Sequence, residues 1–193
     1  MINELVKRLS EGKHEVVIGH RDEPYEEIKE RIEDGYIHIK FTQTRGGTEL
    51  DKESGAIFVD RFMQVSMFYP CNYGFIPNTL SGDGDPVDVL VLSNYPIIPS
   101  AIVKCRPIGV LMMEDESGLD EKIIAVPVSK VDISFDNIRN ITDVAGIVKN
   151  RIKHFFEHYK DLDKDKWVKV LEWGDIEIAK NLIEEGVKRN LSN

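Results

Sequence analysis

The feature that most constrains the fold is a change in hydrophobic period along the chain. From Glu49 to about Val131, short apolar runs are separated by Gly, Pro, Asn and Asp, which is typical of short β-strands joined by turns. From about Thr142 onwards, apolar residues recur every three or four positions, which predicts helices. Strands at this spacing indicate a small barrel or sandwich, here followed by helices.

Individual elements follow from the same pattern. The first C-terminal helix carries an apolar stripe from Val144 to Tyr159, and Asp175 is predicted to cap a second helix. Strands are expected at residues 56–59, 87–92, 108–112 and 123–126. Residues 1–48 are predicted to form a helix from Ile2 that Gly12 ends, a strand at 15–19, a helix at 22–34 stopped by Gly35, a strand at 37–42 and a turn at 45–48. The 193 residues contain no repeat or clear linker, so residues 1–193 are expected to form a single domain.

Charge and composition limit the partners of the chain. A formal net charge of −9 does not favour nucleic acid or anionic lipid, and a small anionic substrate then needs bound divalent cations to reverse the local field. No stretch approaches the ~18 apolar residues of a membrane span, and the N-terminus does not resemble a signal peptide. The two cysteines, Cys71 and Cys105, fit a reducing compartment, so a cytoplasmic protein is expected.

The first acidic loop is the run Asp-Gly-Asp-Pro-Val-Asp at residues 83–88. Asp83 and Asp85 are two apart, so an extended backbone would point both carboxylates to the same side. Asp88 then enters an apolar strand, where an unpaired carboxylate would be costly. This pattern favours a bound cation.

The second acidic loop lies between two apolar runs and is predicted to be a hairpin. With residues 116–119 as a four-residue loop, Asp115 would lie opposite Asp120, which is unfavourable unless a cation lies between them. Lys122 would share the face of Asp120. Either loop alone is also consistent with an acidic surface turn. Together they provide the oxygen ligands that Mg²⁺ takes, with waters and phosphate oxygens completing its shell.

Phosphate chemistry also needs hydrogen-bond donors, and three segments of the chain contain candidates. Arg61 follows an apolar strand, Tyr73 lies in a Pro- and Gly-containing segment, and Tyr159 and Lys160 end the first C-terminal helix. Each alone is consistent with a surface arginine, a core tyrosine or a helix-end lysine.

Four segments closely resemble the soluble family I inorganic pyrophosphatases: residues 51–62 (DKESGAIFVDRF), 67–74 (MFYPCNYG), 83–90 (DGDPVDVL) and 154–162 (HFFEHYKDL). The resemblance covers the chain from about Glu49 to the C-terminus. It implies a mainly β fold, an OB-like five-stranded barrel flanked by helices, assembled as a homo-oligomer and usually as a homohexamer. It also implies hydrolysis of pyrophosphate to two phosphates with Mg²⁺.

The same resemblance implies a role for each acidic residue. Asp83, Asp88 and Asp120 would hold a first metal ion, and Asp88 would bridge to a second. Asp115 with Asp120 would hold a metal ion that arrives with the substrate. Asp85 would orient and deprotonate the attacking water.

The remaining site residues are assigned by the same match. Tyr73 would line the site and contact a metal-bound water, which makes it, with Asp85, one of the two expected catalytic residues. Phosphate oxygens would be bound by Arg61, Lys122, Tyr159 and Lys160. Neutralising phosphate charge in this way is the main task of a protein that catalyses phosphoryl transfer.

The first 48 residues depart from the family pattern. Family members carry Lys-x-Glu shortly before the segment at 51–62, whereas here Glu49 retains the acid and Gly47 occupies the lysine position. Lys40 or His38 falls where a strand glutamate is expected. Arg45 could replace the missing lysine as a phosphate donor, although a guanidinium is not equivalent to an ammonium. We therefore expect weaker binding of the substrate-side metal ion or of phosphate. Alternatively, the first 48 residues serve an oligomer or partner contact.

Two alternatives remain open from the sequence. His154, Glu157 and His158 fit the H-x-x-E-H pattern of a zinc peptidase, although Lys153 and Lys160 crowd it with positive charge. The altered N-terminal segment would also fit a catalytically impaired family member that acts as a binding or assembly protein.

Overall fold

The computed structural model describes residues 32, 35, 37–43, 47–50 and 57–192, with the backbone alone at 38, 40–43, 47–50, 58 and 60. The helix expected from Ile2, the strand at 15–19 and most of the helix at 22–34 lie outside these residues. Two points of that last helix are described. Ile32 is helical and buried, and Gly35 has a φ of 81° and donates its N–H to Ile32 O.

Nine strands and two α-helices make up the described part of the chain. In order they are β1 (Ile37–Gln43), β2 (Gly47–Leu50), β3 (Ile57–Arg61), β4 (Asn72–Phe75), β5 (Asp88–Val91), β6 (Ile102–Asp115), β7 (Gly118–Leu119), β8 (Lys122–Pro127), α1 (Gly146–His158), β9 (Val168–Gly174) and α2 (Ile176–Ser192). Gly47 and Thr48 therefore belong to a strand, and the turn predicted at 45–48 is wrong for these two residues. A 3₁₀ turn at Ile141–Asp143 precedes α1, which delays its start to Gly146.

Five strands pair in a ring. β1 is antiparallel to both β4 and β6, β4 is antiparallel to β5, β5 is parallel to β8, and β8 is antiparallel to β6. The long strand β6 also pairs with β7 and β9, while β2 and β3 form a separate two-stranded sheet. The expected mainly β fold with a five-stranded barrel and two C-terminal helices is confirmed.

Alternation along the strands divides the apolar residues into two cores. In and just after β5, Val89 and Val91 pack in the core that includes Ile183 of α2, while Leu90 and Leu92 pack in the core that includes α1. Because successive side chains of a strand point to opposite faces, each strand contributes to both cores. A polar residue at the end of a strand therefore lies on the α1 side or the α2 side according to its position in the sequence.

The second helix is capped as predicted. Asp175 Oδ1 accepts hydrogen bonds from the backbone N–H groups of Glu177 and Ile178, both at 3.0 Å. Such a cap satisfies N–H groups that have no partner within the helix. Among the described residues, no helix is both long enough and apolar enough to cross a membrane.

Candidate active site

Strand register brings three charged residues to the α1 side of the sheet. Asp88 begins β5 two positions before Leu90, and Lys122 begins β8 two positions before Ile124, whose side chains both pack in the α1 core. Asp88 and Lys122 are direct partners across the parallel β5–β8 pair. Asp115 ends β6 in the same alternation. Neighbouring strand ends thus place opposite charges beside one another.

The Lys122 ammonium is the centre of this group. Its Nζ lies 2.6 Å from Asp88 Oδ2, donates a short hydrogen bond to Asp120 Oδ1, and lies 3.5 Å from the Tyr73 hydroxyl. The Lys122 side chain is 5% exposed. Burial alone would lower the pKa of Lys122, but the charges of Asp88 and Asp120 raise it well above its ordinary value. Two carboxylates therefore share one buried cation.

A second lysine forms a parallel arrangement at the β6–β7 hairpin. Lys160 Nζ lies 2.8 Å from Asp115 Oδ2 and 3.2 Å from both carboxylate oxygens of Glu116, and Lys166 Nζ lies 3.1 Å from Glu116 Oε1. Burial would raise the pKa of Glu116, but its own backbone N–H and the ammonium groups of Lys166 and Lys160 lower it to about 2. Glu116 was not predicted as a site residue. The sequence feature that could have indicated it is its position directly after Asp115 in the acidic turn.

The hairpin differs from the predicted one. Asp115 pairs with Gly118, leaving a two-residue loop, and the N–H of Asp120 bonds to Met113 O at 2.9 Å. The prediction that Asp115 lies opposite Asp120 is therefore wrong. The tighter turn is possible because Gly118 adopts a φ of 124° and Asp115 Oδ1 accepts the N–H of Ser117.

Residues 79–87, which we name the aspartate loop, form a turn rather than an extended segment. Gly84 has a φ of 91°, its N–H bonds to Ser81 O, and Asp83 Oδ1 accepts the N–H of Asp85 at 2.9 Å. The extended backbone expected for Asp83 and Asp85 is thus wrong. Both aspartates are exposed on the surface.

Two contacts fix the aspartate loop to the body of the protein. Thr79 Oγ1 donates to Ile76 O at 2.6 Å and accepts the N–H of Val87 at 2.9 Å, which closes the base of the loop. The N–H of Leu80 bonds to Gly186 O in α2. Helix α2 therefore positions the loop that precedes Asp88.

Aromatic rings line the α1 side of the site. Tyr69, which the sequence analysis did not single out, packs with its ring centroid 4.8 Å from that of Tyr73 and 4.7 Å from that of Phe155. Tyr159 is 8% exposed and stacks on Phe155 at 5.4 Å. Burial raises the pKa of the Tyr73 hydroxyl well above its ordinary value, so this group is a neutral donor.

The remaining predicted residues are located as follows. Arg61 ends β3, and its Nη1 lies 3.6 Å from Asp163 Oδ2. Glu49 lies in β2 opposite Phe58, and only its backbone is described. Arg45 lies outside the described residues.

The donor set fits a hard divalent cation. Asp88 and Asp120 already face a single cationic atom, which is the geometry that two oxygen ligands of one ion require. In the described ranges, no three His, Cys, Asp or Glu side chains form a group that could hold a metal ion by themselves. Mg²⁺ is usually held by one or two carboxylates together with water and phosphate oxygens. An open site of two carboxylates is therefore compatible with Mg²⁺. That Asp83 joins Asp88 and Asp120 as a ligand of the same ion stays a prediction.

The H-x-x-E-H pattern on α1 does not gather a third ligand. The His154 and His158 ring centroids are 4.6 Å apart, but Glu157 pairs with Lys153 and His158 Nδ1 contacts Asp161 at 2.9 Å. In the part of the chain that the structure describes, this cluster is not among possible metal-binding groups.

Comparisons with known proteins agree with the fold. The sequence profile of the family described as "Inorganic pyrophosphatase" matches residues 36–190. The inorganic pyrophosphatase of Rickettsia typhi is 69% identical over 142 residues, covering 74% of this chain and 80% of that protein. The Salmonella typhimurium inorganic pyrophosphatase is 53% identical, covering 83% and 93%. The solved inorganic pyrophosphatase of Helicobacter pylori has a TM-score of 0.79 at 45% identity and covers 81% of this chain and 94% of its own.

Proposed function

The chain belongs to the inorganic pyrophosphatase family, and from that premise we propose that it hydrolyses pyrophosphate to two orthophosphates with Mg²⁺. The observation that carries this proposal is that two buried lysines each contact carboxylates at one end of the sheet. Lys122 lies against Asp88 and Asp120, and Lys160 lies against Asp115. Acids and donors from four separate elements thus meet where a small, highly charged anion and its counter-ions would bind.

Asp88 and Asp120 are the first candidates to hold Mg²⁺, with Asp83 completing that set and Asp115 serving a substrate-associated ion. When bound, Mg²⁺ neutralises phosphate charge and lowers the pKa of coordinated water. Asp88 begins β5, and Asp120 lies in the two-residue link between β7 and β8, so strand pairing restrains both positions.

The lysines and Arg61 are proposed to bind phosphate oxygens. Lys122 and Lys160 are 4% and 7% exposed, so their ammonium groups have little access to water. In the absence of substrate they are balanced by carboxylates; a phosphate oxygen can take over as their acceptor. The Tyr159 hydroxyl supplies a further neutral donor, and burial raises its pKa. These residues position the anion and neutralise its charge.

Asp85 is proposed to orient the attacking water and accept its proton. It lies in an exposed turn, so the proton can pass on to solvent. Its backbone N–H is held by Asp83, which restricts the turn. Tyr73, beside Asp88 and Lys122, is proposed to line the site and to contact a metal-bound water.

Several broader properties are proposed on the strength of the family membership. We expect residues 1–193 to form one domain, to assemble as a homo-oligomer with a hexamer favoured, and to act in the cytoplasm. Gly47 at the usual lysine position is expected to weaken phosphate or metal binding, with Glu49 retaining the acid of that motif and Arg45 replacing the lysine as a phosphate donor. Light scattering after size-exclusion chromatography tests the assembly.

Phosphate release from pyrophosphate tests the activity. We expect turnover with MgCl₂, and loss of turnover when EDTA removes the divalent cation. Asp165→Asn, which removes one negative charge outside the site, serves as a matched control and should retain activity. If the native chain binds pyrophosphate but releases no phosphate at saturating Mg²⁺, it is instead an impaired binding protein.

A further inference from the structure

The connection between α1 and β9, residues 159–167, folds back towards the site. Lys160, Asp163 and Lys166 are three residues apart, and the N–H of Asp163 bonds to Lys160 O at 2.9 Å. The N–H of Lys166 bonds to Asp163 O at 3.4 Å. The α1–β9 connection thus folds through consecutive turns and carries two lysines with one aspartate between them.

These three side chains contact two different elements. The two lysines contact Asp115 and Glu116 at the β6–β7 hairpin. The aspartate between them, Asp163, contacts Arg61 at the end of β3, with 3.6 Å between Oδ2 and Nη1. The connection thus contacts both Asp115, which is proposed to bind a metal ion, and Arg61, which is proposed to bind phosphate.

We propose that Asp163 is a positioning residue for Arg61, holding the guanidinium where it meets the phosphate group of pyrophosphate. This inference rests on the proposed function, in which Arg61 binds that phosphate. Asp163 itself is not proposed to contact the substrate or the reacting atoms.

The origin of Arg61 explains why it needs a positioning residue. Arg61 belongs to the two-stranded β2–β3 sheet, which among the described strands pairs with none of the barrel. Its side chain is 43% exposed, while that of Asp163 is 20% exposed. A long side chain at a sheet end loses rotamer freedom when it binds a ligand. A carboxylate that restrains it beforehand reduces that loss and improves substrate binding.

The geometry also argues against a mainly stabilising role. At 3.6 Å the Asp163–Arg61 contact exceeds hydrogen-bond distance, and such part-exposed ion pairs contribute little to folding. Removing the carboxylate should therefore change substrate binding more than stability.

Asp165 supplies a matched control within the same connection. It has a φ of 61°, which Asp and Asn tolerate better than other side chains. Asp165→Asn removes the same charge two residues from Asp163 and keeps a residue suited to this conformation. Among the described residues, no ion pair of Asp165 with Arg61 is present.

The test measures KM and kcat for pyrophosphate at saturating Mg²⁺, together with thermal melting. Asp163→Asn should raise KM about fivefold and change kcat less than about twofold. Asp163→Glu should restore KM towards the native value, and Asp165→Asn should leave it unchanged. Melting temperatures should agree within about 3 °C. In an Arg61→Gln background, Asp163→Asn should add no further change in KM.

Two results would overturn the inference. If Asp163→Asn and Asp165→Asn have the same KM, or if the effect of Asp163→Asn persists in the Arg61→Gln background, then Asp163 does not act through Arg61 and the proposed function stands. If the native chain releases no phosphate, the proposed function and this inference fail together.

Discussion

The aspartates at the strand ends and those of the aspartate loop are held by different interactions. Asp88 is fixed by the register of β5 against β8 and lies beside the buried Lys122. Asp83 is exposed and lies in a turn that its own side chain stabilises by accepting the N–H of Asp85. One position depends on sheet pairing, and the other depends on local turn chemistry and on α2.

This difference predicts different consequences of mutation in the two regions. At the strand ends the charges balance one another in a buried group, so losing one member leaves an uncompensated charge. In the aspartate loop the side chains are solvated, so losing a charge changes ligand binding without a comparable effect on folding. Stability should therefore respond more strongly at the strand ends, whereas activity should depend on the carboxylates of both regions.

Lys122→Met should have the largest effect on stability, since it leaves Asp88 and Asp120 facing each other without their shared cation. We expect a loss of about 3–5 kcal/mol in EDTA, measured by chemical denaturation. Added Mg²⁺ should recover part of this loss, because an ion that binds only the folded state stabilises it. Lys180→Met, which breaks an exposed pair with Glu177, should cost less than about 1 kcal/mol. Equal losses in both variants would contradict the shared-cation interpretation.

Asp88→Asn should lower kcat/KM by at least about 10²-fold while the protein stays folded. The amide oxygen can still accept from Lys122, which also retains Asp120. Phosphate release and circular dichroism measure the two effects. Asp83→Asn makes the same change in the aspartate loop and should lower activity with an unchanged melting temperature. Near-normal turnover of Asp88→Asn would show that the carboxylate at this strand end does not take part in catalysis.

Gly186→Ala tests the dependence of the aspartate loop on α2. An added Cβ would come within 2.7 Å of Val87 Cγ2, so the loop or the helix must shift. We expect a destabilisation of about 1–3 kcal/mol and a several-fold loss of activity. Gly146→Ala, at the start of α1, meets nothing within 4 Å and should be neutral or slightly stabilising. An active, fully stable Gly186→Ala protein would show that α2 does not position the loop.

Asp143 provides the smallest expected effect, as an exposed turn carboxylate outside the site. The N–H groups of Arg139 and Asn140 donate to its Oδ2 at 2.8 Å each and lower its pKa below the ordinary value of 3.8. A lowered folded-state pKa stabilises the protein above the unfolded-state pKa, and this contribution is lost as the pH falls through the folded-state pKa. Asp143→Ala should therefore melt slightly below the native protein at pH 7, with a smaller difference below about pH 4. A difference that is independent of pH would rule out this explanation, and KM should not change.

Local features were predicted well from the sequence. The strand at 123–126 and the Asp175 cap depend on neighbouring residues alone, and both are confirmed. The hairpin register was wrong because Gly118 adopts a positive φ and closes a loop that is two residues shorter, so that Asp120 lies opposite Met113. A two-residue difference in loop length cannot be read from apolar periodicity, since several turns fit the same pattern.

Contacts between distant segments could not be predicted. Tyr69 meets Phe155 across more than eighty residues of sequence, and Asp163 meets Arg61 across about a hundred. Neither residue has a local pattern that distinguishes it from other tyrosines or aspartates. Glu116 is an intermediate case, because its neighbour Asp115 was predicted while its contacts with Lys160 and Lys166 were not.

The amino-acid sequence by itself determined the type of chemistry: short strands, then helices, with aspartates, lysines and tyrosines in the segments that resemble the family. Only the tertiary structure decided which lysine meets which carboxylate and that Asp163 faces Arg61. The physical reason is that periodicity and turn propensity act over a few residues, whereas ion pairing across a barrel depends on strand register and helix packing.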